Sequence, residues 1–215
     1  FVVTWAAQYN EYTNTTQTSS TQDVFVQRFD ADGTALAPAQ QISQTVTYPN
    51  GTVDQDGFRD YNPVITDLLD GGFVVAWQSE QRTFSGSTFV SSEYSIVAQR
   101  FDADGLAAGD PISLGTVVQD QNGSDRSIDQ VPQITALTDG GFAVTWYNQT
   151  NYYNSSGTYL GNSTEIFVAA VHATGGGGDL GEPVEVDVAG LIDDVDLVVR
   201  NCYVLPVEEL EVTGR

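Results

Sequence analysis

The stretch Asp70-Gly71-Gly72-Phe73-Val74-Val75-Ala76-Trp77 returns as Asp139-Gly140-Gly141-Phe142-Ala143-Val144-Thr145-Trp146, and its second half opens the chain as Phe1-Val2-Val3-Thr4-Trp5. Trp5, Trp77 and Trp146 stand 72 and 69 residues apart. Self-similarity at a fixed spacing marks a repeat architecture, and it restricts the chain to folds assembled from about three copies of one unit. Alternation within the stretch places Phe73, Val75 and Trp77 on one face of a strand, and Gly71-Gly72 supply a turn that needs positive φ.

The rest of each unit follows in order. A polar stretch leads to a second strand, at residues 24–29, 95–101 and 166–171. Asp30-Ala31-Asp32-Gly33 and Asp102-Ala103-Asp104-Gly105 then carry hairpin-turn chemistry, Asp capping the turn and Gly taking the left-handed position. A short third strand follows, at residues 41–42, 111–114 and 183–186. A fourth, at residues 63–68 and 131–137, runs directly into the next Asp-Gly-Gly; Pro132 suits the first residues of such a strand and not its middle. No segment reads as a helix of ten or more residues. The sequence therefore predicts an all-β fold of repeated four-stranded antiparallel meanders of about 70 residues. β-Propeller-like blades are the leading form and a stacked β-sandwich or solenoid the alternative. The units fall at residues 1–69, 70–138 and 139–189, the last divergent, with 190–215 as a closing or docking segment. Three blades do not close a propeller. The strand-like residues 195–199 and 203–205 are expected to pair with the open edge of Phe1-Trp5 or with a neighbouring subunit.

Together, Asp-Gly-Gly-Phe-Val-Val-x-Trp, Ala-Gln-Arg-Phe-Asp-Ala-Asp-Gly and Pro-x-Ile-Thr-x-Leu resemble the repeats of very large, acidic, type I-secreted (RTX-type) bacterial surface proteins, which often carry calcium-binding tails. The resemblance covers residues 1 to about 188. It implies an extracellular or cell-surface scaffold, stalk or adhesive module, without specifying a ligand. The RTX nonapeptide itself is absent: in Gly175-Gly176-Gly177-Gly178-Asp179 the aspartate comes one place early and the run occurs once, as in a hairpin loop.

Charge narrows the partners. Twenty-nine carboxylates face seven arginines and no lysine, a net charge of −22. Such a surface repels nucleic-acid phosphates and anionic membranes, so neither nucleic acid binding nor membrane insertion is expected. It favours cations and solubility at high salt, so calcium or a saline medium is the expectation, with no other cofactor. The single cysteine, Cys202, excludes an internal disulfide and leaves a buried thiol, the leading reading, or an intermolecular link. No apolar run approaches the roughly 18 residues of a spanning helix. A chain that begins with Phe inside a repeat is expected to be a processed product or part of something longer. Other copies, or other chains of a surface assembly, are the expected partners.

Candidate chemistry concentrates at one end. The polar stretches 6–22, 45–62, 78–93, 116–130 and 147–164 read as long loops gathered opposite the tight turns. Tyr9, Tyr12, Tyr147, Tyr152, Tyr153 and Tyr159, with Tyr48, Tyr61, Phe84 and Phe89, stand there among small polar residues, a composition suited to recognition and to stacking on sugars. Glycans are thus a second class of partner. The same stretches hold six Asn-x-Ser/Thr sequons, at Asn14, Asn50, Asn122, Asn148, Asn154 and Asn162. The turn aspartates Asp30, Asp32, Asp102 and Asp104 offer the beginning of a calcium site, although a complete one needs six to eight oxygens. Arg100 and Asp102, two apart on one strand face, fit a local ion pair. One histidine, His172, and one cysteine leave little for nucleophilic or zinc chemistry. A glycosidase needs only two carboxylates, so a lectin or glycan-active propeller enzyme is the alternative to a non-enzymatic structural module.

Overall fold

The computed structural model describes residues 1–13, 16–43, 46–47, 53–54, 58–85, 88–120, 125–154, 156–172 and 203–204. Strands β1 (Val2–Thr13) and β2 (Thr16–Arg28) form a hairpin to which β3 (Gln40–Gln41) adds, and β4 (Val46–Thr47) pairs with β5 (Val53–Asp54). Strands β6 (Phe58–Asp67), β7 (Phe73–Ser85), β8 (Thr88–Phe101) and β9 (Ile112–Asp120) make an antiparallel meander. A second meander comprises β10 (Asp125–Ala136), β11 (Phe142–Tyr153) and β12 (Tyr159–Val171), with β13 (Tyr203–Val204) parallel to β12. The fold is all-β; the first sheet is mixed through the parallel pair Gln22↔Arg59 and the second through β12–β13, and among the described residues no sheet closes on itself.

The central meander is covered on both faces, because alternate residues of β7 enter different cores. Phe73, Val75 and Trp77 pack with Val24, Val26 and Phe101 against the β1–β2 hairpin. Val74 and Ala76 pack with Ile96, Ala98 and Leu114 against Phe142, Val144 and Trp146 of β11. The motif's period of two thus binds a neighbour on each side. Cross-strand pairs repeat in register: Trp5 faces Phe25, Trp77 faces Val97 and Trp146 faces Phe167, while Phe73 stacks on Phe101 at 4.8 Å.

The two glycines of each Asp-Gly-Gly turn are required for different reasons. Gly71 and Gly140 have φ of 85° and 89°, the left-handed region. Gly72 and Gly141 yield to the neighbouring strand instead: a Cβ would lie 2.4 Å from the Phe101 carbonyl oxygen and 2.0 Å from that of Val171.

Three expectations are corrected. The polar stretches are mostly strand, not loop: β1–β2, β7–β8 and β11–β12 continue as ribbons far beyond the apolar core. Thr, Tyr and Val favour extended backbone even where neither face is apolar. Pro63 and Pro132 sit well inside β6 and β10, each at a bulge that shifts the register, at Tyr61/Val64 and Gln130/Gln133. A bulge leaves a residue out of the ladder, which is where a residue lacking N–H can go. The preceding Asn62 and Val131 take φ of 49° and 50°. Finally, Tyr203–Val204 pairs with Ala169–Ala170 and not with Phe1-Trp5. Residues 183–186, 195–199 and Cys202 lie outside the described residues.

Candidate functional site

The turn aspartates act first on their own backbone. One oxygen of Asp30 accepts the N–H of Asp32 at 3.0 Å and of Thr34 at 2.8 Å, and Asp102 does the same for Asp104 and Leu106 at 2.9 Å. Asp32 and Asp104 are exposed. Among the described residues no three His, Cys, Asp or Glu side chains come together. Arg100 pairs with Asp70 at 2.5 Å, not with Asp102; in the third unit His172 Nδ1 takes that role, 2.5 Å from Asp139. The Gly72 N–H holds the Asp70 carboxyl below its ordinary pKa, and His172 does so for Asp139. Arg28 crosses between units to donate to the Asp104 carbonyl.

The tyrosines divide between hairpins. Tyr9, exposed on β1, meets Phe25 edge-on at 6.5 Å, and Tyr12 lies opposite Gln17. On the β11–β12 ribbon Tyr153 and Tyr159 meet edge-on at 5.7 Å, the Tyr152 hydroxyl is 2.9 Å from Ser163 Oγ, and Tyr147 is half-buried. Tyr48 lies outside the described residues, as do Asn14, Asn50 and Asn122. Asn148 is only 5% exposed within β11 and accepts from Thr150. Asn154 caps its turn through the N–H groups of Ser156 and Thr158, and Asn162 is exposed on β12.

A strongly perturbed carboxylate lies apart from the turn aspartates. Where the ribbons leave the apolar core, β6, β7 and β8 bury a polar layer: Asp60, Gln78, Ser79, Glu80 and Ser92. Asp60 is 1% exposed. Its Oδ1 accepts the Trp77 indole N–H at 3.0 Å, while Oδ2 has no hydrogen-bond partner among the described residues. Burial pushes its pKa up to about 7, against the pull of Ser79 and Trp77, and the charge of Asp23 adds to the rise. Asp23, half-buried and also raised by burial, accepts from Gln41 at 2.9 Å and Ser43 at 3.2 Å.

On the opposite face of β6–β7, Glu80 accepts from Tyr61 at 3.0 Å and Ser92 at 2.9 Å and pairs with Arg82 at 3.3 Å. Burial and then the Glu80 charge raise the phenols of Tyr61 and Tyr94. A sequence signal for this layer exists. Asp60 precedes Pro63 by three, as Asp129 precedes Pro132, and each lies one strand from the tryptophan motif, Asp60 opposite Ser79 and Asp129 opposite Asn148.

No protein-family model, curated protein or solved structure matches this chain. Its function rests on its own geometry.

Proposed function

We propose that this chain is a structural, adhesive module of an extracellular surface assembly, built from blade-like meanders stacked face to face. The observation that carries the reading is the double use of β7, whose odd residues join one neighbour's core and whose even residues join the other's. Residues repeated in sequence are thereby consumed in packing between units, as stacking repeats require. The same geometry favours scaffold over enzyme: Asp60 is enclosed, and Glu80 is engaged by a tyrosine, a serine and an arginine. A net charge of −22 suits a saline, cation-rich medium, with calcium as counter-ion and other copies or chains of the assembly as partners.

The second reading, a glycan-binding lectin, draws on the exposed Tyr152 and Tyr159 of the β11–β12 ribbon. A glycan array combined with hydrolysis assays on acidic polysaccharides separates the classes. A scaffold gives neither signal, saturable binding without turnover selects the lectin, and turnover refutes both. Sedimentation in saline is the positive arm, in which concentration-dependent association supports assembly.

A further inference from the structure

Buried Asp60 and half-buried Asp23, between the first hairpin and the central meander, have no ion-pair partner among the described residues. Residues alternate along β6, so Arg59 stands opposite Glu80 on the far face and not beside Asp60. Within the pocket, Trp77 fixes Asp60 Oδ1 and leaves the enclosed Oδ2 unpartnered. Asp23 presses a second negative charge on Asp60 from β2. The remaining groups are neutral: Gln41, which donates to Asp23, Ser43, which donates to Asp23 and accepts the Val24 N–H at 3.1 Å, and Ser79, directly opposite Asp60 on β7. Two carboxylates at a shared buried site are held either by a proton on one of them or by a cation between them.

We propose that Asp23 and Asp60, with the hydroxyls of Ser43 and Ser79, bind one hard divalent cation that joins the β1–β2–β3 segment to the β6–β9 meander. Oxygen ligands and no nitrogen or sulfur donor select a magnesium- or calcium-type ion over a transition metal. Asp23, being half-buried, forms the entrance, and Asp60 forms the floor. Water would complete the shell, as it commonly does for ions held by one or two carboxylates. This site is distinct from the exposed Asp30/Asp32 and Asp102/Asp104 turns, whose first aspartates are committed to backbone N–H groups.

The test is titration of the 215-residue chain with calcium chloride and, separately, magnesium chloride at pH 8 and constant ionic strength, by calorimetry and by tryptophan fluorescence. Trp77, bonded to Asp60, is the built-in reporter. At least one ion should bind saturably with a stoichiometry of one. Asp60→Asn and Asp23→Asn should each weaken it by at least about tenfold. The double variant Asp30→Asn, Asp102→Asn should leave it unchanged. Circular dichroism establishes that each variant is folded, and Asp23→Asn, at the half-buried position, is the arm to rely on if Asp60→Asn is not. Absence of saturable binding for both ions, or binding lost with the turn aspartates and kept without Asp23, overturns the proposal. A fluorescence change that follows pH alone also overturns it, by assigning the pocket to a proton.

Discussion

Replacing Asp60 with asparagine should remove a specific pH dependence of stability. The Asp60 carboxyl has an ordinary pKa of 3.8, and burial raises it to about 7 in the folded protein. The folded state therefore holds this proton more tightly than the unfolded chain does. Its contribution is greatest below the unfolded value and is lost as pH rises through about 7. The full difference is on the order of 4 kcal/mol, of which about 2.7 kcal/mol falls between pH 5 and pH 9. For a chain of this size that corresponds to roughly 5 to 10 °C in melting temperature. Mutual repulsion among the other carboxylates adds a similar trend, so the quantity to read is the difference between wild type and Asp60→Asn. Urea unfolding in chelator across this range should show a variant that gains on the wild type as pH rises, because asparagine carries no charge into the pocket. Two parallel curves, within about 0.5 kcal/mol, would refute the argument that Asp60 is buried and ionises near neutrality.

Other outcomes follow from the turns, the bulges and the polar layer. Gly141→Ala should destabilise by roughly 2–4 kcal/mol in a thermal melt, because its Cβ meets the Val171 carbonyl at 2.0 Å. Gly33→Ala, with φ of 82° but open space around it, should cost only about 1 kcal/mol; equal losses would show that close approach is not the reason for the second glycine. Val131→Asn should stabilise by about 1 kcal/mol, since a β-branched residue at φ of 50° is strained, is exposed, and corresponds to Asn62 in the preceding unit. A loss of stability in denaturant would count against that strain. Tyr61→Phe removes a donor from buried Glu80 and should cost about 1–3 kcal/mol, with a double-mutant cycle against Glu80→Gln showing coupling.

Much of the fold is legible in the sequence because local chemistry and tertiary need coincide. The Asp-Gly-Gly and Asp-Ala-Asp-Gly turns demand glycine locally, and the apolar alternation of residues 73–77 is the alternation of two real cores. The ribbon ends were hidden because their period is not hydrophobic: Ser91, Ser92, Glu93 and Tyr94 are all strand residues, yet no apolar face announces them. Proline misled for a related reason, since the bulge that accepts Pro132 is set by pairing with β11 and not by β10 alone. Asp60 could not be singled out among 29 carboxylates, because its burial depends on Asp23, Ser43 and the first hairpin coming over it. The pairing of Asp70 with Arg100 across 30 positions is likewise a product of the hairpin.

The bulge at Asn62 also separates two halves of a strand into independent phases. Between Tyr61 and Val64, β6 advances three residues while β7 advances two, from Gln78 to Ala76. The parity of the ribbon is therefore uncoupled from the parity of the core, and ribbon sequences can drift, lengthen or be exchanged between units without turning the apolar face outward. The same logic makes one residue unusually consequential. Deleting Asn62 would bring Pro63 opposite Trp77 with no bulge to receive it, while Asp60 stays opposite Ser79 and Arg59 opposite Glu80.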